Sequence, residues 1–199
     1  MKRRLFLLAG TAGMLTLAAC GEPEPKPHYN GIDLTGGDYK PDFKLSGPDG
    51  RVYTLADFKG KYVMVFFGFT QCPDVCPTAL SRAVEIRNKL GPDADKLQVI
   101  FISIDPERDT AALLGEYMRA FDPSFLGLRT DPQATAQTAF NYKVFYRRVV
   151  SGSSYTMDHT AISYVLDKEG RMRLGLKHQL TADECAQDIK TLMTAKYTL

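Results

Sequence analysis

The sequence predicts an α/β domain whose central mixed β-sheet is flanked by helices. Two apolar runs, YVMVFFGF (62–69) and LQVIFISI (97–104), have the composition of strands that are buried on both faces. Each run is followed by a segment with helical spacing that ends at a proline. This alternation of strands and helices is typical of a sheet with parallel neighbours.

The remaining elements can be assigned in chain order. RVYTLADFKG (51–60) predicts a short strand and a turn before the first buried strand. After that strand we expect a helix over 78–91, the second buried strand and a helix over 110–121. A short extended segment over 125–130, a short helix over 132–141 and a strand over 143–150 follow. The chain then forms a hairpin over 160–176 that turns at 167–170, and a last helix that opens with the capping box Thr181-x-x-Glu184. This order, with its added hairpin, is that of the thioredoxin-like fold.

The first twenty residues, MKRRLFLLAGTAGMLTLAAC, predict an export signal. Three positive charges precede an apolar core that is too short to span a bilayer comfortably, and small residues lead into Cys20. The ending LAAC is the pattern of bacterial lipoprotein processing, in which Cys20 would carry the lipid. An ordinary signal peptide that happens to precede a cysteine is the alternative.

Three chain regions follow from this interpretation. Residues 1–19 are a lipoprotein signal peptide, 20–40 a flexible membrane tether rich in Pro, Gly and charge, and 41–199 the folded domain. The protein is then expected on the periplasmic side of a bacterial membrane, anchored through Cys20.

The charge of the chain argues against nucleic-acid binding. Three of the 25 Lys and Arg residues lie in the signal, which leaves 22 basic against 23 acidic residues and a net charge of −1. No basic patch interleaved with aromatic residues remains.

Cys72 and Cys76 form the motif that most needs a function. They lie where the first buried strand passes into its helix, an edge of α/β sheets where reactive groups gather and where the helix terminus stabilises thiolates. The pair could be a redox switch, a structural clip or a metal site. Cys185 falls on the apolar stripe of the last helix and is expected to be a buried core thiol.

The spacing of the pair disfavours two related enzyme classes. Thioredoxin-type oxidoreductases use Cys-x-x-Cys facing a cis-proline before a later strand, but here the spacing is one residue longer and no proline follows Pro132. Peroxiredoxins carry Thr three residues before the nucleophilic cysteine, where this chain has Phe69 and Pro73.

His159 is the candidate third member of the site. It lies in the segment SGSSYTMDH (151–159), which we expect to be a loose loop that the fold brings over the cysteines. His28 falls in the tether, and His178 is expected to be solvated. Two thiolates and an imidazole suit Cu(I) or, with a fourth weak ligand, Cu(II), although zinc accepts the same ligands.

Three motifs, GFTQCPDVCP (68–77), SIDPERDT (103–110) and YTMDHTA (155–161), together resemble the SCO/SenC family, whose members handle copper and assist assembly of the dinuclear copper site of cytochrome c oxidase. The resemblance covers about Tyr39 to the C-terminus. It implies copper ligation by Cys72, Cys76 and His159, with Asp158 as an outer-sphere or weak ligand.

Two details stand beside this resemblance. Met157 occupies a position where a branched aliphatic residue is expected, and we interpret it as core filler. DPERDT is a family signature. From its residues alone we expect the exit of a strand and the start of a helix capped by Asp109 or Thr110, not a metal site.

The implied function is a membrane-anchored copper metallochaperone that delivers copper to the oxidase. Its expected partners are cytochrome c oxidase subunit II, a periplasmic copper donor chaperone, a thiol reductant and the membrane. The implied role is not enzymatic, but an accessory thiol–disulfide exchange through a redox disulfide between Cys72 and Cys76 stays open. The alternatives are a thiol–disulfide reductase that keeps the oxidase cysteines reduced and a binding domain with a structural disulfide.

Overall fold

The computed structural model describes residues 27–195, and the signal peptide, Cys20 and the first part of the predicted tether lie outside them. Its main sheet has six strands in the order β1-β10-β9-β4-β5-β6. The strands of this sheet are β1 (Ile32–Asp33), β4 (Tyr62–Gly68), β5 (Leu97–Ser103), β6 (Leu126–Leu128), β9 (Ile162–Leu166) and β10 (Met172–Lys177).

Two small two-stranded sheets and four helices complete the described chain. The small sheets pair β2 (Lys44–Ser46) with β3 (Val52–Thr54) and β7 (Tyr146–Ser151) with β8 (Ser154–His159). The helices are α1 (Val75–Leu90), α2 (Ala111–Phe121), α3 (Pro132–Asn141) and α4 (Ala182–Thr194), with short 3-10 helices at Leu55–Phe58 and Gly91–Lys96.

The sheet is mixed, as the sequence predicts. Strand β4 is parallel to β5, and β5 to β6, whereas β9 pairs antiparallel with β4 and β10 antiparallel with β9. All seven residues of β4 are buried, which explains its uninterrupted apolar sequence. The thioredoxin-like fold is therefore confirmed, and it places the end of β4 and the start of α1 near the centre of the sheet.

The segment expected to be a loose loop is a strand. Residues 154–159 form β8, which pairs with β7 in the register Tyr146↔His159 to Ser151↔Ser154. Gly152 has φ +60 at the first central position of the two-residue turn, as a type II′ turn requires. The alternation of small polar and larger side chains in SYTMDH is weak, so the sequence of this strand alone gave no clear period.

The start of the folded domain lies earlier than predicted. Strand β1 joins the main sheet beside β10, and Tyr29 is only 8% exposed. The buried carboxylate of Asp188 in α4 accepts hydrogen bonds from the backbone N–H of Asn30 (2.9 Å) and Gly31 (2.8 Å). The prediction of a flexible tether over 20–40 is therefore wrong for its second half. The sequence of this segment does not reveal these contacts, because their partners lie more than 140 positions away.

Among residues 27–195, no helix combines the length and the apolar character needed to cross a bilayer.

Candidate metal centre

The two cysteines lie where the sequence predicts them, at the junction of β4 and α1. Cys72 is half-buried in the connection between the two elements, and Cys76 is fully buried in the first turn of α1. Both are free thiols, so the structure describes the reduced form of the pair.

The start of α1 directs a backbone donor at Cys72. The N–H of Cys76 donates to the Cys72 sulfur at 3.4 Å, which makes this sulfur an acceptor for one of the first free N–H groups of the helix. A negative charge on Cys72 is favoured here, because it faces the positive end of the helix dipole.

The two thiols have opposite proton affinities. A hydrogen bond from the Cys76 thiol, with further ones from His159 and backbone N–H groups, lowers the pKa of Cys72 to about 3 against the opposing effect of burial. The same hydrogen bond to Cys72, followed by burial, raises the pKa of Cys76. The metal-free reduced site therefore holds one thiolate, on Cys72, and one thiol, on Cys76.

Gly68 makes room for the buried cysteine. A Cβ at this position would lie 2.7 Å from the Cys76 sulfur and 2.7 Å from the ring of Phe101. Neither neighbour has space to retreat, because Cys76 and Phe101 are both fully buried. The last residue of β4 must therefore be glycine for the sulfur to occupy this place.

His159, the last residue of β8, completes the group. Its Nε2 lies 3.8 Å from the Cys76 sulfur, and its Nδ1 lies 3.1 Å from the carbonyl oxygen of Thr160. A metal ion needs the Nε2 lone pair, and a proton kept on Nδ1 and donated to that carbonyl would leave this lone pair free for the ion. The imidazole also packs edge-on against the rings of Phe66 and Phe69, which limits its rotation.

The three side chains could hold one metal ion. Their ligand atoms all lie within 4.8 Å of one another. Metal–sulfur and metal–nitrogen bonds of about 2.0–2.3 Å bring ligand atoms to within roughly 4 Å of one another, so only a small contraction is needed.

Asp158 does not join this group. Successive side chains of a strand point to opposite faces, so Asp158 faces away when His159 faces the cysteines. Its carboxylate pairs with Arg147 across the hairpin at 2.8 Å, and its side chain is 51% exposed. The predicted role of Asp158 as an outer-sphere or weak ligand is therefore not supported.

Met157 shares the face of His159 and packs against the core, as expected of core filler.

The DPERDT signature is more than the start of a helix. Thr110 caps α2 as expected, whereas Asp109 is fully buried and accepts hydrogen bonds from the hydroxyls of Thr70 (2.6 Å) and Ser103 (2.6 Å). Burial raises the pKa of Asp109. This carboxylate fixes the cysteine loop to the end of β5, a link the sequence interpretation missed. The available signal was a cluster of three acids and an arginine, more charge than a helix cap needs.

The other candidate residues lie apart from the site. Cys185 is buried in α4, as expected. His178 is not fully solvated, because its Nδ1 is buried without a hydrogen-bond partner in the described part of the chain. Neither belongs to the group formed by Cys72, Cys76 and His159.

Comparison with known proteins agrees with this geometry. The family model described as SCO1/SenC matches residues 33–194. The chain belongs to the SCO1/SenC family. The SCO2-like protein of Rickettsia felis is 34% identical over 179 residues, which cover 87% of this chain and 85% of the relative.

Solved SCO structures share the fold. Bradyrhizobium japonicum ScoI with copper bound is 43% identical, with a TM-score of 0.69 over 75% of this chain and 96% of that one. The apo Sco1 protein of Thermus thermophilus is 38% identical, with a TM-score of 0.72 over 84% of this chain and 98% of that one.

Proposed function

We propose that this SCO1/SenC protein is a copper metallochaperone that binds one copper ion through Cys72, Cys76 and His159. The observation that carries the proposal is the convergence of these three ligand atoms within 4.8 Å. Support comes from a SCO relative with 43% identity whose structure contains copper.

The donor set suits copper chemically. Two soft thiolates and one imidazole match Cu(I), and a weak fourth ligand would accommodate Cu(II). Cys72 can bind the metal as a thiolate without losing a further proton, whereas Cys76 must release its proton when the metal binds. The half-buried Cys72 leaves one side of the site open to the incoming ligand of a donor or an acceptor.

The cellular role extends this proposal. We infer that Cys20 carries a lipid which anchors the domain on the periplasmic side of the membrane. A periplasmic copper donor chaperone loads the site, and subunit II of cytochrome c oxidase receives the ion during assembly of its dinuclear copper site. The nearby membrane would keep the chaperone beside its membrane-bound acceptor.

A redox step accompanies copper loading. Oxidation of this thiolate–thiol pair to a Cys72–Cys76 disulfide, by exchange with a disulfide that becomes a dithiol, removes two electrons and one proton and with them both sulfur ligands. A dithiol reductant restores the site: it gives two electrons and one proton to the pair, releases its other proton to solvent and becomes a disulfide itself.

The proposal is tested by copper binding to the reduced domain. One equivalent of Cu(I) should bind per chain under a competing chelator, and Cys72→Ala, Cys76→Ala and His159→Ala should each weaken binding, the cysteine variants most. Cys185→Ala and His178→Ala are matched controls that should bind as wild type. Absence of stoichiometric copper, or undiminished binding by all three site variants, would refute the proposal.

The second candidate is a thiol–disulfide reductase for the oxidase cysteines. It is favoured by the half-buried Cys72, whose pKa of about 3 keeps it a thiolate at neutral pH. A thiol exchanger has no need of the imidazole. Retention of full oxidase assembly in a His159→Ala strain would therefore favour the reductase, and loss of assembly would favour the chaperone.

A further inference from the structure

The hairpin that carries His159 has few attachments to the main sheet. Strands β7 and β8 pair only with each other among the described strands. An isolated two-stranded hairpin is at best marginally stable in water, so contacts with the rest of the domain must hold it in place. The position of His159 therefore depends both on the packing of its ring against Phe66 and Phe69 and on what fixes the far part of β8.

Arg108 makes one of the polar contacts that hold β8 against the rest of the domain. Its guanidinium Nη1 donates to the Tyr155 carbonyl oxygen in β8 at 2.9 Å and to the Gln71 side-chain oxygen at 3.0 Å. Gln71 directly precedes Cys72. One nitrogen thus links the strand that ends in His159 to the loop that contains the first cysteine.

Tyr155 strengthens this link through its ring. The ring lies between two guanidinium groups, with its centroid 3.7 Å from the central carbon of Arg108 and 3.9 Å from that of Arg148. Its hydroxyl donates to Asp105 at 2.9 Å, and Asp105 also pairs with Arg108. Stacking of a cation on an aromatic face and ion pairing act together here.

The surroundings of Arg108 make this arrangement specific. The Arg108 side chain is 17% exposed and the Asp105 side chain 3% exposed, so water competes little for their contacts. A lysine would keep the charge, but it has no planar group that stacks on the ring while one nitrogen bonds Asp105 and another bonds the Tyr155 and Gln71 oxygens. On the outer face of the same hairpin, the Arg147–Asp158 pair is 64% and 51% exposed and contributes little.

We propose that Arg108, clamped on Tyr155 and Gln71, is a positioning residue that holds His159 over the cysteine pair. The clamp sets how far the third ligand stands from the two sulfurs before any metal arrives. It deepens the proposed function, since the site it organises is the copper site, but its effect on β8 exists in the metal-free protein.

The test compares Arg108→Lys with Arg147→Lys in the reduced, metal-free protein by hydrogen exchange. In Arg108→Lys the amides of residues 155–160 should exchange about tenfold faster than in wild type, because local opening no longer has to break the clamp. Arg147→Lys should leave these rates unchanged. Equal exchange of this segment in wild type and Arg108→Lys would overturn the proposal.

A copper-loaded readout separates positioning from general stability. With Cu(II), the sulfur-to-copper absorption and the EPR spectrum of Arg108→Lys should move towards those of His159→Ala, while one copper per chain is retained. A wild-type spectrum in Arg108→Lys would contradict the clamp.

Two further arms keep the outcome decisive. If Arg108→Lys does not fold, Tyr155→Leu, which removes the stacked ring, should give the same faster exchange, and wild-type rates in that variant would contradict the proposal. If wild type binds no copper, the proposed function fails, whereas the exchange comparison still decides whether Arg108 holds β8.

Discussion

Cys72 and Cys76 are chemically unequal although they belong to one site. The sulfur of Cys72 accepts a hydrogen bond from a helix N–H at the half-buried rim, whereas Cys76 is enclosed beside β4. In the proposed copper site, the rim thiolate would be the first sulfur that an incoming ion meets. The enclosed thiol would lose its proton when it becomes the second sulfur ligand.

This inequality predicts selective alkylation of Cys72. Its pKa of about 3 lies below the pH of ordinary buffers, so its reaction rate with iodoacetamide should vary by less than about twofold between pH 5 and 8. An ordinary thiol, with a pKa of about 8.5, gains roughly tenfold per pH unit over most of this range. Mass spectrometry of peptides after timed quenching gives both rates. Alkylation of Cys72 that rises tenfold per pH unit would contradict the assigned thiolate.

Gly68→Ala should damage the site without removing a ligand. The added methyl would lie 2.7 Å from the Cys76 sulfur and from the Phe101 ring, so Cys76 must shift. Overpacking of a core costs about 1–3 kcal/mol, and the displaced sulfur should also weaken copper binding. Urea unfolding and chelator competition measure the two effects. Gly175→Ala, whose Cβ contacts begin at 3.2 Å on a side chain, is the milder control; equal results for both variants would count against the close approach.

The three residues of the candidate site could be predicted from the sequence, but the contacts that support them could not. A cysteine pair at a strand–helix junction and one histidine before a later strand follow from chain order. The outward direction of Asp158 could not be predicted, because the extended form of β8 was not expected. Asp109 was interpreted as a cap because its partner Thr70 lies 39 residues earlier, and no local pattern reveals such a contact.

At the level of elements, the strands and helices with a local sequence pattern were predicted, and those that depend on long-range contacts were missed. Strands β4 and β5 carry their own evidence in apolar runs, and α4 carries a capping box that the structure confirms. Strand β8 is mostly polar and strand β1 has only two residues, so neither has a clear local pattern. Strand β8 contacts β7 and Arg108, and the β1 segment contacts β10 and Asp188.

Asp188→Ala should detach the N-terminal segment from α4. The carboxylate accepts hydrogen bonds from both backbone N–H groups of Asn30 and Gly31 and from the Asn30 side chain. Hydrogen bonds to charged groups contribute about 1.5–3 kcal/mol, so unfolding free energy should fall by about 2–4 kcal/mol. Urea unfolding measures it. The matched control is Asp183→Ala on the same helix, whose pair with Lys89 is largely exposed and should contribute under about 1 kcal/mol. Equal losses in the two variants would refute the role of Asp188.

For the whole molecule, the proposed copper site would link metal binding to folding, because it draws ligands from two separate regions. The cysteines come from the β4–α1 junction and His159 from the hairpin, and these regions need not stay together in the unfolded chain. An ion that binds only the folded form stabilises it by mass action.

Copper should therefore raise the melting temperature of the reduced protein. At a free copper concentration a hundredfold above Kd the stabilisation is about 2.7 kcal/mol, which for this size of domain corresponds to roughly 5–10 °C. The protein oxidised to the Cys72–Cys76 disulfide should show no shift, because both sulfurs are occupied. Calorimetry of the two forms with buffered copper measures the difference. Equal shifts in both forms would mean that copper binds elsewhere.

The coordination of the bound ion tests the central claim most directly. X-ray absorption at the copper edge of the reduced, loaded protein should show two sulfur ligands and one imidazole nitrogen. The nitrogen contribution should disappear in His159→Ala while the sulfurs remain, and His178→Ala should match wild type. A spectrum with nitrogen and oxygen ligands only, or an unchanged imidazole signal in His159→Ala, would contradict a site formed by Cys72, Cys76 and His159.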